Sequence, residues 1–222
     1  MSAGAAYVEL REQLSELVRS LPAHQLATPV PACPDWTVHD VVAHLAGVAT
    51  DNVTGAVPTD SSADALDTWT AGHVRSRADV ATTVVLREWE RFSSQLEVLL
   101  NKDAMELPAA LLDLATHDDD IREAVDRPRG LHTDTHLAMH RGLMRRWMGA
   151  IERAGLDPIL VMLPTGDPYD GEVDADVVIR SSPHWLYRSA MGRQSRASVR
   201  SKFVSGSNLD AYIDLLYVFD PG

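Results

Sequence analysis

The chain has a single cysteine, Cys33, in 222 residues, which excludes an internal disulfide framework. It also lacks any apolar run of about 18 residues, the length a membrane-spanning helix needs, so no membrane partner is expected. Met1-Ser2-Ala3-Gly4 has neither the basic region nor the apolar core of a signal peptide, which points to a cytoplasmic protein. Basic residues are in deficit: 20 Lys and Arg stand against 32 Asp and Glu, for a formal charge of -12 and a pI near 5.1. A surface of that sign repels phosphate backbones and anionic lipids, so nucleic acid is not an expected partner either.

What remains is an ordinary globular composition, 45% hydrophobic and 23% charged, long enough for one main core and a small appended element. Val8, Leu10, Leu14, Leu17, Val18 and Leu21 fall close to a helical period and predict a first helix over 5–21, ended by Pro22. Pro31-Ala32-Cys33-Pro34-Asp35-Trp36 reads as a rigid loop. Thr37 then has the character of an N-cap, with Asp40 placed to complete a capping box, and a second helix follows over 38–53. Residues 65–100 contain no proline and only one glycine, Gly72, and read as one long helix with room for a single break. Further helices are expected over 108–125 and 133–154, the last closed by Gly155.

The tail differs. The short β-prone runs 159–163 and 176–180, separated by the turn-rich 164–171, predict a hairpin, followed by short helices over 183–191 and 208–216. The expected architecture is mainly α, an up-and-down four-helix bundle over 1–155 with a small α/β extension over 156–222 packed on it.

Two stretches carry the chemistry. Asp113-Leu114-Ala115-Thr116-His117 puts a carboxylate and an imidazole at i and i+4, one turn apart on one helix face. His44 stands in the apolar run Val41-Val42-Ala43-His44-Leu45 and points inward from its own helix. Two imidazoles and a carboxylate suit a divalent transition metal, zinc first and nickel second, and leave a coordination position for water or a thiol. Spacing by itself leaves two other readings open: an Asp and a His on a solvated helix face, and a core histidine bonded to a carbonyl.

The segment Pro31-Ala32-Cys33-Pro34-Asp35-Trp36-Thr37-Val38-His39-Asp40-Val41-Val42-Ala43-His44-Leu45-Ala46-Gly47 resembles the signature loop and second helix of the mycothiol-dependent maleylpyruvate isomerase family, within the DinB-like superfamily. His117-Asp118-Asp119-Asp120-Ile121-Arg122 resembles its second motif and Met191-Gly192-Arg193-Gln194-Ser195 its C-terminal element, in family order. The resemblance implies a DinB-like four-helix bundle with a divalent metal on His44, Asp113 and His117. The family usually has glutamate where this chain has Asp113, a side chain one methylene longer.

The resemblance further implies a low-molecular-weight thiol, mycothiol, the actinobacterial counterpart of glutathione, as cosubstrate. A metal-held sulfur is stabilised as thiolate, the nucleophile for cis-trans isomerisation or for thiol transfer to a small-molecule electrophile. Arg193 is the candidate catalytic residue, its guanidinium fork suited either to a substrate carboxylate or to a structural acid. Asp120 suits an imidazole acceptor or a partner for an arginine. The alternative function is a non-catalytic metal-binding or regulatory member of the same fold, as monomer or homodimer. Of the remaining features, His132, His136 and His140 align at four-residue steps as a weaker metal face or a solvated stripe. Trp36 and Trp147 read as core anchors, Cys33 as packing, and Asp118-Asp119-Asp120 as a charged helix face.

Overall fold

Tyr7, Leu10, Leu14 and Val18 repeat at three- and four-residue steps, and in the computed structural model all four are buried on one face of helix α1 (Ala3–Ser20). The structure describes residues 2–102, 108–127 and 134–219. They form two compact units, Met1–Gly130 and Leu131–Gly222, each considered by itself.

In the first unit, α1 is followed by the short α2 (Ala23–Leu26), strands β1 (Pro29–Val30) and β2 (Cys33–Thr37), and helices α3 (Val38–Thr54), α4 (Ala63–Arg77), α5 (Thr82–Lys102) and α6 (Ala109–Ala124). Helices α5 and α6 each pack on both α1 and α3, which closes a four-helix bundle, and α4 lies along α3. Val41, Val42, Leu45, Val85, Trp89, Leu96, Leu114 and Ile121 fill it at 2% exposure or less. Burying each such side chain contributes about 1.5–3 kcal/mol, so the bundle holds its ligand-bearing helices firmly.

The capping box read from the sequence is present. Thr37 N–H donates to Asp40 Oδ2 at 2.8 Å and Asp40 N–H to Thr37 Oγ1 at 3.3 Å. This fixes where α3 starts and therefore which residues of α3 face inward. The stretch 31–36, expected as a loop, carries most of β2, which pairs antiparallel with β1.

The long helix expected over 65–100 is two helices, α4 and α5, broken at 78–81. No proline or glycine marks the break. His39 of α3 stabilises it instead, with Nε2 donating to the Arg77 carbonyl at 3.2 Å and Nδ1 accepting from Thr82 Oγ1 at 2.9 Å.

The second unit contains α7 (Asp134–Arg153), β3 (Ile159–Met162), β4 (Pro168–Gly171), β5 (Val177–Arg180), α8 (Pro183–Ala190), α9 (Arg196–Arg200), β6 (Phe203–Ser205) and α10 (Leu209–Leu216). The four strands form one sheet in the order β4-β3-β5-β6. The two expected strands are not a hairpin: β3 and β5 run parallel, and β3 makes its antiparallel turn with β4, inside the segment read as turn-rich. That extra reversal turns the chain round once more before β5. Gly171 (φ 91°) is required there, since a Cβ would lie 2.0 Å from the Ile159 carbonyl oxygen.

The division between the units falls at 130 rather than 155, so α7 groups with the C-terminal elements. Two contacts explain the grouping. Trp147 Nε1–H donates to the Tyr212 carbonyl at 2.9 Å, and the Arg146 guanidinium caps the carbonyls of residues 215–217 at the end of α10 at 3.0–3.2 Å. Gly155 adopts the left-handed conformation expected after α7 (φ 65°). No helix among the described residues is long and apolar enough to cross a membrane.

Candidate metal centre

Helix α3 carries His44 and helix α6 carries Asp113 and His117, and the bundle brings these three side chains to one point. Their ligand atoms all lie within 4.8 Å of one another. His44 Nε2 is 3.2 Å from Asp113 Oδ2, and His117 Nε2 is 3.5 Å from Asp113 Oδ1. Neighbouring ligands of a tetrahedral zinc ion, at bond lengths of about 2.0–2.1 Å, stand roughly 3.4 Å apart. The two separations from Asp113 are of that size, and the two imidazole nitrogens lie no more than 4.8 Å apart. The two imidazoles are buried, whereas the Asp113 side chain is 27% exposed, so the carboxylate marks the open side of the cluster.

The rings are held from behind. His117 Nδ1 is 3.0 Å from Asp120 Oδ2, and Asp120 is fully buried. The imidazole-acceptor use read for Asp120 is present, and Asp118 pairs with an arginine, Arg122, at 3.0 Å. Both acids are buried, so Asp118-Asp119-Asp120 is not simply a charged face. His44 Nδ1 meets a residue absent from the sequence reading, His73 of α4, whose Nδ1 is 3.2 Å away. His73 Nε2 in turn lies 3.0 Å from Asp51 Oδ2, an oxygen that also accepts Trp69 Nε1–H at 2.6 Å.

Helix α4 is pinned in place by a half-buried staple. Arg77 Nε donates to Glu88 Oε2 of α5 at 3.0 Å, and Thr50 Oγ1 of α3 donates to Glu88 Oε1 at 2.9 Å. Arg77 holds the Glu88 carboxyl below its ordinary range.

Trp36 is not a core anchor. It is half-buried on β2, with its ring centroid 5.1 Å from that of His44 and 6.1 Å from that of His117, and so forms an apolar wall over both imidazoles. Trp147 is a core residue, at 0% exposure in the second unit. Below the cluster, Trp89 Nε1–H donates to the Tyr7 hydroxyl at 2.8 Å, and burial, with the Asp113 charge adding, pushes the Tyr7 phenol far up.

Electrostatics distinguish the histidines. Burial opposes charge on His117, but Asp113, Asp120 and a hydrogen bond with Cys33 outweigh it, and its pKa is pushed up to about 10. Burial pushes His73 down, against the pull of Asp51, which favours its neutral form. Cys33, read from the sequence as packing, thus has an imidazole partner; β2 delivers it from a distant part of the chain, and it forms a second potential ligand group with His117 and Asp120.

The model of the mycothiol maleylpyruvate isomerase N-terminal domain family matches residues 7–180. The chain belongs to that family. Among solved structures it is similar to the crystal structure of the mycothiol-dependent maleylpyruvate isomerase, with 16% identity and a TM-score of 0.50 over 87% of this chain and 89% of that one. It is equally similar to a histidine-to-alanine mutant described under the same enzyme name, with 14% identity and a TM-score of 0.51 over 86% and 88%. At such identities the likeness is one of fold, and it places this chain's mainly helical architecture with that of the isomerase. No curated protein matches the chain.

The other residues read from the sequence belong to the second unit or lie outside the described residues. Arg193 belongs to the second unit, in the turn after α8, where its Nη1 donates to the Met191 carbonyl at 2.7 Å. His132 and the side chain of His136 lie outside the described residues. His140 is buried beside Tyr187, with ring centroids 5.6 Å apart, and is not part of a solvated stripe.

His73, Asp51 and Trp69 were missed although a faint signal exists. His44, Gly47 and Asp51 fall at i, i+3 and i+7 on one helix face, and Trp69 and His73 at i and i+4 on another.

Proposed function

We propose that this family member is a metal-dependent enzyme that activates a low-molecular-weight thiol, mycothiol, for cis-trans isomerisation of, or transfer to, a small electrophile. The observation that carries the proposal is the convergence of His44 Nε2 and His117 Nε2 on the two oxygens of Asp113 at 3.2 and 3.5 Å. In this reading His44, Asp113 and His117 hold one divalent ion, zinc or nickel. When bound, such an ion stabilises the thiolate form of a coordinated thiol, which supplies a nucleophile at neutral pH.

The chain's own residues do the rest. Asp120 keeps the His117 ring in the orientation that turns Nε2 toward Asp113. Trp36 excludes water from one side of the imidazoles, which strengthens charge interactions within the cluster. Asp113, the one partly exposed member, leaves an approach for the thiol. Its carboxylate also offsets the charge of a bound cation.

Arg193 is proposed to meet a carboxylate of the electrophile. That role predicts that Arg193→Lys raises KM for an acidic substrate more than it lowers kcat, since lysine loses the bidentate fork.

Cobalt substitution tests the central reading. Cobalt-loaded protein should develop a sulfur-to-cobalt charge-transfer band when mycothiol is added. A spectrum unchanged at saturating thiol would leave a metal-binding protein of the same fold without thiol activation.

A further inference from the structure

His44 and His73 face each other through like atoms, Nδ1 to Nδ1 at 3.2 Å, so one nitrogen donates and the other accepts. Asp51 decides which. Its Oδ2 lies 3.0 Å from His73 Nε2 and already accepts the Trp69 indole N–H. A carboxylate has no proton to give, so the hydrogen in that contact sits on His73 Nε2. A neutral imidazole carries only one such hydrogen, which leaves His73 Nδ1 with a lone pair. His44 Nδ1 is then the donor, and the opposite nitrogen, Nε2, faces Asp113 and is left to coordinate a cation that stands between them.

The packing enforces this chain of contacts. A Cβ on Gly47 would lie 2.3 Å from Cγ of His73, so the ring occupies a notch that exists only because residue 47 has no side chain. His44 and His73 are 3% and 4% exposed. Water therefore does not compete for either Nδ1. Among the described residues, the other groups facing His73 are the Trp69 ring, at a centroid distance of 4.6 Å, and Arg77, whose Nη1 donates to the His73 carbonyl at 3.1 Å. Neither takes a ring nitrogen. His117 reaches the same end by a shorter route, with Nδ1 directly on Asp120.

We propose that Asp51 and His73 are positioning residues that hold His44 with its hydrogen on Nδ1 and its Nε2 lone pair directed at the metal position. Asp51 fixes His73, and His73 fixes His44. The proposal rests on the reading of His44 as a ligand, but its hydrogen placement is testable without metal. The relay also explains why α4, which supplies none of the three ligand candidates, is stapled to α3 and α5 through Arg77, Glu88 and Thr50.

The experiment combines nitrogen-15 NMR of histidine-labelled protein with zinc competition titrations on wild type, His73→Phe and His73→Gln. Wild-type protein, zinc-free and zinc-loaded, should have a hydrogen on His44 Nδ1 and none on His73 Nδ1. His73→Phe removes the acceptor and should weaken zinc binding about 10–100-fold, the usual effect of losing a residue that orients a ligand. His73→Gln, whose side-chain oxygen accepts the same N–H, should recover most of that loss.

A hydrogen on His73 Nδ1 in wild type overturns the relay, even if His73→Phe fails to fold. So does a folded His73→Phe protein that binds zinc within twofold of wild type. Wild type that binds no zinc overturns the metal reading instead, and the NMR result still decides the relay.

Discussion

His44 Nε2 and Asp113 Oδ2 stand 3.2 Å apart across the bundle, although 69 residues separate them along the chain. A carboxylate oxygen and an imidazole lone pair repel, so the contact requires a proton or a cation between them. The same holds for Asp113 and His117 Nε2 at 3.5 Å. That requirement links the fold to the proposed chemistry.

Between Asp113 and His117 of the metal-free protein, a proton serves. His117 has its pKa pushed up to about 10, against an ordinary value of about 6.5. A raised folded-state pKa contributes stability that is fully present below about pH 6.5 and is lost as the pH rises through about 10. Thermal melts of zinc-free wild type should therefore fall over that window, and His117→Ala should flatten the fall. A melting temperature independent of pH across the window would contradict the assignment.

Zinc replaces that proton. Binding at neutral pH should release about one proton from His117, because the coordinating nitrogen must be deprotonated. Calorimetry in buffers of different ionisation enthalpy measures the number. Zinc uptake with no proton release would place the ion elsewhere.

Removing the acceptor behind His117 should be felt at the metal. Asp120→Asn loses the charge but keeps an acceptor, and zinc affinity should fall about 10-fold, toward the lower end of the range for such residues. Asp120→Ala should fall further and destabilise the buried end of α6. Competition titration with a chromogenic chelator reads both. Unchanged affinity in Asp120→Ala would separate Asp120 from the centre.

Gly47→Ala puts a methyl group into the space filled by the His73 ring. Overpacking of this kind costs on the order of 1–3 kcal/mol, so the melting temperature should drop by several degrees. A melting temperature equal to that of wild type would mean the ring moves aside freely.

Cys33 lies near enough to His117 and Asp120 to form a second ligand group. The proposed centre does not use it. Cobalt-loaded protein without added thiol should thus have no sulfur-to-cobalt band, and Cys33→Ser should still take up one metal per chain. A strong band before thiol addition would move the ion to Cys33.

The sequence made the bundle legible where periodicity and capping agree, as at Thr37 and Asp40 before α3. It also pointed to His44, Asp113 and His117, through the i, i+4 pair and the resemblance of the surrounding motifs. It allowed one break within 65–100 but did not place it between α4 and α5, because His39 makes it from another helix rather than any local glycine or proline. It missed His73 for the same reason: nothing near residue 73 in sequence announces that its ring fills the space over Gly47. Trp36 read as core because large aromatics usually are; only the placement of β2 beside α3 makes it a wall of the site. The parallel pairing of β3 and β5 was hidden by β4, a strand whose residues, Pro168 to Gly171, favour turns.

The central claim is a single divalent ion on His44, Asp113 and His117. Elemental analysis after zinc loading and dialysis against a mild chelator tests it most directly, on wild type, His44→Ala, His117→Ala and Asp113→Glu, with helical circular dichroism as the folding control. The account predicts about one zinc per chain in wild type and Asp113→Glu, and none in the two folded histidine variants. Equal zinc in wild type and both histidine variants, or none in loaded wild type, would contradict it.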